Sequence, residues 1–164
     1  MNRLIKASVL SLSFSGCSTV LTQPTTLPTC EQILPILQSS GSEFENIKSG
    51  PIIHSREYST GYWQSVIKLP DAESCIIRES YGLGTQYVCK WNHENDSQSM
   101  GQHYQDLRDR IISCVGDVSV YKDDRRGYTS ITLTPLGNLS SLKYIITTQY
   151  QRLPFTVSFR VDAD

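Results

Sequence analysis

The chain has 164 residues, of which 38% are hydrophobic and 19% charged, and its formal net charge is −1. This length suits one ordinary domain, and every apolar run is broken well before the ~18 to 20 residues that a membrane-spanning helix needs. The one dense basic spot, Arg125-Arg126, directly follows Asp123-Asp124, which neutralise it. Because binding to nucleic acid needs clustered positive charge, composition argues against a nucleic acid partner.

The N-terminal residues have the order of an export signal. Arg3 and Lys6 supply a positive start, and residues 7–14 form a short apolar stretch that leads to small residues at a cleavage site. The run Phe14-Ser15-Gly16-Cys17 resembles the lipobox of bacterial lipoproteins. This resemblance implies that residues 1–16 are a signal peptide and that Cys17 becomes the lipidated first residue of the mature protein.

The lipoprotein resemblance also implies a location and a first partner, the lipid bilayer. Each buried methylene of an acyl chain contributes ~0.8 kcal/mol, so chains on Cys17 would anchor the protein without a spanning helix. Ser18 stands where lipoproteins kept at the inner membrane have Asp, which favours the outer membrane, facing the periplasm. Residues 17–29 are then expected to form a lipidated tether and residues 30–164 a single folded domain. The alternative is that Cys17 is an ordinary buried or disulfide-bonded cysteine.

Two helices are predicted in the folded domain. Thr29 and Gln32 have the spacing of a capping box, which favours a helix from about residue 30 to 39, although Pro35 weakens its interior. A second helix is expected to begin with Ser99 and Gln102 as its caps. Its apolar residues recur at intervals of three and four: Met100, Tyr104, Leu107, Ile111 and Cys114.

The rest of the domain reads as strands and turns. Alternating apolar and polar residues predict eight strands. They lie near 51–58, 62–69, 73–79, 85–91, 117–122, 127–134, 142–150 and 154–161. The order predicts an α+β fold built from two consecutive helix-plus-four-strand blocks. We expect an antiparallel sheet covered on one face by both helices, with a more polar second face.

The cysteines favour disulfides over a metal site. Setting Cys17 aside for lipid leaves an even number, and Cys75 and Cys89 flank a hairpin turn symmetrically, which favours a bridge between them. The remaining pair, Cys30 and Cys114, would join the start of the first helix to the end of the second. Other pairings stay open. No two cysteines have the spacing of zinc ligands, so neither a metal nor another cofactor is expected.

No catalytic motif is present, and we expect a protein that is not an enzyme. Nucleophile, zinc-protease and phosphate-loop patterns are all absent from the sequence. Glu43 and Glu45 flank Phe44, so in an extended segment both carboxylates would point to one side, as paired glycosidase acids do. His93 lies in a polar cluster that more simply reads as the start of a helix. Glu43, Glu45 and His93 are therefore the residues of an alternative hypothesis, a hydrolase of cell-wall glycan.

Aromatic residues at strand positions are the candidates for binding. Tyrosine and tryptophan often anchor protein interfaces, although most aromatic residues in strands belong to the core or the sheet edge. The candidate binding residues are Tyr58, Tyr62, Trp63 and Tyr128.

These features predict a lipoprotein that faces the periplasm and binds another protein. Its tandem plan is similar, in architecture only, to beta-lactamase-inhibitory proteins and to small lipoproteins of the outer-membrane assembly machinery. Among binding roles, an immunity-type inhibitor of a toxin or hydrolase is favoured, because such an inhibitor needs only a rigid, tethered surface. A structural or assembly lipoprotein of the envelope is the other alternative.

Overall fold

A computed structural model describes residues 25–52, 61–136, 143–149 and 153–163. The expected signal peptide, Cys17 and Tyr58 lie outside these residues. In chain order the helices and strands are α1 (Cys30–Gln38), β1 (Lys48–Pro51), β2 (Tyr62–Ser65), β3 (Ser74–Ser80), β4 (Gly84–Asn92), α2 (Ser97–Val115), β5 (Val118–Arg125), β6 (Tyr128–Pro135), β7 (Lys143–Gln149) and β8 (Thr156–Asp162). Short 3-10 turns at Ser40–Ser42 and Glu45–Ile47 connect α1 to β1.

All the strands described belong to one antiparallel sheet. Its strand order is β1-β2-β3-β4-β8-β7-β6-β5. Each half is therefore a meander of four strands preceded by a helix, and the halves meet where β4 pairs with β8. This arrangement confirms the predicted α+β fold with consecutive helix-plus-four-strand blocks.

Both helices cover the same face of the sheet. Along β4 and β8 the odd-numbered side chains point to this helix-covered face, and Tyr87, Cys89, Val157, Phe159 and Val161 are fully buried there. The helices add their own apolar stripes, which join the same core cluster: Ile33, Ile36 and Leu37 from α1, and Met100, Tyr104, Leu107 and Ile111 from α2. The sheet therefore has one face in the core and one that neither α1 nor α2 covers.

Two disulfides are present, and their pairing is the one that the sequence favoured. Cys30 is bonded to Cys114, which ties the first residue of α1 to the end of α2. Cys75 is bonded to Cys89, directly opposite each other in the register of β3 and β4. One bridge therefore joins the two halves, and the other lies within the first half.

The last residues of the expected tether lie against the domain. The backbone N–H of Thr26 donates to Asp71 Oδ2 at 2.7 Å, and Pro28 is buried. That hydrogen bond lowers the pKa of Asp71. The chain is thus attached to the domain a few residues before α1 begins.

Several local expectations were wrong. The first strand lies at Lys48–Pro51 rather than near 51–58, and residues 53–58 lie outside the described part. The second strand ends at Ser65, well short of residue 69. The N-cap of α2 is Asp96, whose carboxylate accepts a hydrogen bond from the backbone N–H of Ser99, because a carboxylate satisfies a free N–H at a helix start.

Candidate binding surface

The face of the sheet opposite the helices is the candidate functional surface, called here the open face. Its side chains come from the even-numbered positions of β4 and β8 and from their cross-strand partners. One row of directly paired residues crosses seven strands: Gln64, Ile76, Val88, Arg160, Ile145, Thr132 and Tyr121. Most of these side chains are half-buried, and Tyr121 at the edge is 69% exposed. The row mixes aliphatic, hydroxyl, amide and aromatic groups across the width of the sheet.

A polar network lies on the open face at the junction of the two halves, near the end of the sheet where β8 finishes. Arg78 Nε donates to Gln86 Oε1 at 2.8 Å, and Gln86 Nε2 donates to Asp162 Oδ1 at 2.9 Å. Arg160 forms an ion pair with the same carboxylate, with 2.9 Å between Nε and Oδ1. Gln86 itself is 1% exposed. Strands β3, β4 and β8 are therefore joined by side chains as well as by their backbone ladder.

The predicted aromatic residues do not form one surface. Tyr62 pairs with Arg78 and Tyr128 pairs with Gln149, so both lie on the open face but near opposite ends of the sheet. Trp63 pairs with Ile77 and packs against the core from the helix-covered face. Tyr58 lies outside the described residues.

Trp63 has a local structural role. The ammonium group of Lys48 lies 4.4 Å from the centroid of its ring, a cation–π contact. Lys48 also forms ion pairs with Glu45 and Glu79. An added Cβ on Gly61 would overlap the Trp63 ring, so the ring lies directly over that residue. Trp63 thus stabilises the β1–β2 edge of the sheet. On the open face it is Tyr121, and not Trp63, that is a strongly exposed aromatic residue.

The structure separates the residues of the hydrolase hypothesis. Glu43 and Phe44 have positive φ angles of 52° and 61°, so the segment is turned and not extended. Glu43 accepts a hydrogen bond from Thr85 at the start of β4, whereas Glu45 is paired with Lys48. His93 follows the far end of β4, about 26 Å from Thr85 at the usual rise of a strand. These groups do not converge on one site.

His93 is instead half of a buried histidine pair. Its Nε2 lies 2.9 Å from Nδ1 of His103, its Nδ1 lies 3.2 Å from Ser99 Oγ, and the His103 ring packs edge-on against Trp91. The two histidines are 8% and 3% exposed. Burial lowers the pKa of both histidines. For His103, burial and the neighbouring His93 together lower the pKa to about 4, against the opposing effects of Asp106 and Asp71. The pair is therefore neutral at pH 7, and it locks β4 to α2.

The hairpin between β3 and β4 exposes two large apolar side chains. Tyr81 is 95% exposed and Leu83 is 63% exposed. Gly82 and Gly84 have φ angles of 78° and 72°, a conformation that glycine adopts without strain, and this keeps the turn tight. The Cys75–Cys89 bridge braces the strands below the turn. The hairpin tip lies at the end of the sheet where β8 finishes.

No protein-family model, curated protein or solved structure matches this chain. Among the described residues, no helix is long and apolar enough to cross a membrane. The same residues contain no group of three or more histidine, cysteine or acidic side chains that could hold a metal ion. The open face must therefore be interpreted from its own residues.

Proposed function

We propose that this chain is a membrane-anchored lipoprotein that faces the periplasm and binds another protein through its open face. The observation that carries the proposal is the continuous cross-strand row from Gln64 to Tyr121 on a face that neither helix covers. We favour an immunity-type role, in which binding blocks a toxin or hydrolase and no reaction is catalysed. The outer membrane is the proposed site of the anchor on Cys17.

The size of the open face suits an ordinary protein interface. Seven strands spaced ~4.8 Å apart span about 29 Å, and four open-face side chains along a long strand such as β5 span about 20 Å, although the short β2 contributes only Tyr62 and Gln64. The resulting area of roughly 600 Å² approaches the ~800 Å² that each partner buries in a standard complex. An exposed hairpin tip at one end adds apolar area.

The open face is also held in one conformation before binding. Side-chain hydrogen bonds join β3, β4 and β8 at the junction of the two halves, and the Cys75–Cys89 bridge fixes the register of β3 and β4. A surface that is already ordered loses less conformational entropy when it binds. An inhibitor must bind its target with high affinity, and a rigid surface favours such binding.

Position-specific photo-crosslinking in intact cells tests the proposal. A photoreactive amino acid would replace Thr132 or Thr147 on the open face, and Gln105 on the exposed side of α2 as the matched control. We expect one dominant adduct from both open-face positions and none from position 105. Mass spectrometry would identify the trapped protein. Adducts that form equally at all three positions, or only on α2, would contradict the proposal.

The identity of the trapped protein separates the binding roles. A secreted hydrolase or toxin whose activity falls when the purified lipoprotein is added would support the immunity-type role. A component of the envelope assembly machinery would support the structural alternative, which uses the same surface.

The anchor requires a separate measurement. Intact-mass analysis of the protein from membranes should show loss of residues 1–16 and added acyl mass on Cys17. A mass that still includes Met1 and carries no acyl group would contradict the proposed location.

A further inference from the structure

The charges of the domain are divided between its two faces. The open face carries more basic than acidic residues: Arg78, Lys90, Arg125, Lys143 and Arg160 against Asp123, Asp162 and Glu73, whose carboxylate accepts a hydrogen bond from Asn92 on this face. The whole chain has a formal charge of −1, so the remaining surface is the acidic part. Because the positive charge is concentrated on one face of a slightly acidic protein, that face attracts negatively charged partners.

The basic groups of the open face are placed around the junction of the two halves. Lys90 and Lys143 are exposed and lie on opposite sides of β8, beside Ser158 and Asp162 respectively. Arg78 donates its Nε to Gln86 and is half-buried, and its guanidinium carries two further nitrogens. A guanidinium group matches the two oxygens of a carboxylate.

Asp162 holds Arg160 in position. Its carboxylate accepts a hydrogen bond from Gln86 and forms an ion pair with Arg160, so Arg160 and Asp162 together carry no net charge. Arg160 is 29% exposed at its side chain and lies in the middle of the cross-strand row. Lys90 and Lys143 on either side of this pair are exposed, so they supply most of the positive charge that an incoming anion meets.

We infer that the partner of the open face is a protein that presents an acidic surface, whose Asp and Glu carboxylates bind among Arg78, Lys90, Lys143 and Arg160. This inference rests on the proposed function and adds the chemistry of the partner to it. Apolar contacts come from Ile76, Val88 and Ile145 in the same row. The basic groups steer association and select the partner, because charge complementarity acts on specificity and on the association rate.

A pair of charge-reversal variants tests this inference. The variant K90E/K143E reverses two exposed charges on the open face, and K68E/R110E makes the same change in net charge in the β2–β3 loop and on α2. Full-length proteins in detergent would be titrated with poly-L-glutamate at 20 to 300 mM salt. At low salt we expect at least about tenfold weaker binding for K90E/K143E and a change within about twofold for K68E/R110E. Thermal melting would verify that both variants are folded.

The same variants would be combined with the crosslinker at Thr132 in cells. We expect the adduct yield to fall severalfold in K90E/K143E and to stay unchanged in K68E/R110E. An adduct that forms equally in all backgrounds would overturn the acidic-partner inference and leave the binding proposal intact. The absence of any open-face adduct would instead contradict the binding proposal itself.

Anionic lipid is the competing source of negative charge. Partition into phosphatidylcholine vesicles with and without 25 mol% phosphatidylglycerol would be compared among the three proteins, because the acyl anchor is common to all of them. A loss of phosphatidylglycerol preference in K90E/K143E, with unchanged binding to poly-L-glutamate, would overturn the inference in favour of a membrane surface. Loss of poly-L-glutamate binding alone supports it.

Discussion

The two halves of the sheet have the same order of elements but differ in regularity. In the first half β1 and β2 have four residues each and their register is irregular between Lys48 and Pro51, while in the second half β5 and β6 have eight residues each and pair without interruption. Helix α1 has nine residues and contains Pro35, whereas α2 has nineteen. The first half therefore has fewer ladder hydrogen bonds and less helix to pack on its strands.

Covalent bonds are concentrated where the regular structure is weakest. Three of the four bonded cysteines belong to the first half, and the second half contributes only Cys114. The comparison teaches that one plan of elements can be stabilised in two ways. The second half depends on long strands and a long amphipathic helix, and the first half depends on bridges.

The largest effect is expected from removing the bridge between the halves. In the chain-entropy treatment, loops of 84 and 14 residues correspond to about 4.5 and 3 kcal/mol, so C30A/C114A should destabilise the protein more than C75A/C89A. Urea unfolding would give both free energies. Hydrogen exchange should show that C30A/C114A loses protection in α1 before the strands of the second half. Equal loss in both halves would contradict the comparison.

Truncating a core side chain of the second half should lower the free energy of unfolding somewhat less than removing the bridge between the halves. Leu107 on α2 is fully buried in the core. Leu107→Ala is expected to lower the free energy of unfolding by about 3 kcal/mol, from lost burial and the cavity left behind. Leu136→Ala, at a position that is 64% exposed, is the control and should change it by less than about 0.5 kcal/mol. Similar values for the two variants would mean that α2 does not support the sheet as described.

The connection between the halves should depend on pH. The folded-state pKa of His103 is lowered to about 4 from 6.5, so folding favours the neutral form. Its contribution to stability is present above pH 6.5 and is lost as the pH falls toward 4, with about 2.5 kcal/mol lost by pH 4.5.

Carboxylates also titrate between pH 4 and pH 6.5, so a variant at position 103 is needed to separate the contribution of His103 to stability from theirs. The fall in stability from pH 7 to pH 4.5 should be about 2.5 kcal/mol smaller in His103→Gln than in the unsubstituted protein, as measured by urea unfolding at both values. An identical pH dependence in the two proteins would rule out the histidine pair as its cause.

The sequence predicted the fold well because its signals are local. Alternation in β8, from Thr156 to Asp162, and the three-to-four spacing in α2 both reflect burial on one side of an element. The pairing of Cys75 with Cys89 followed from their symmetry about one turn. Errors arose where the chain is irregular, as in the turned segment around Phe44, because its positive φ angles have no sequence signal comparable to glycine.

The open face could be predicted only in part. Its polarity was expected, but the cross-strand row and the division of charge depend on the register of all eight strands, which no single segment encodes. The sequence did not assign Trp63 to either surface, because alternation alone does not say which side of an edge strand meets the core. The histidine pair was missed because His93 and His103 meet only when α2 folds back over β4.

The smallest expected effect concerns the starts of the two helices. In α2 the Asp96 carboxylate accepts a hydrogen bond from the backbone N–H of Ser99 at 2.9 Å, whereas α1 begins with a capping box to which the side chains of both Thr29 and Gln32 contribute. Asp96→Ala should cost about 1 kcal/mol and Thr29→Ala less, both read from urea midpoints. The reason is that in α1 the Gln32 side chain accepts from the Thr29 backbone N–H, and that bond survives the threonine substitution. If Thr29→Ala were the more damaging change, the first half would depend on its helix cap and not on the Cys30 bridge beside it.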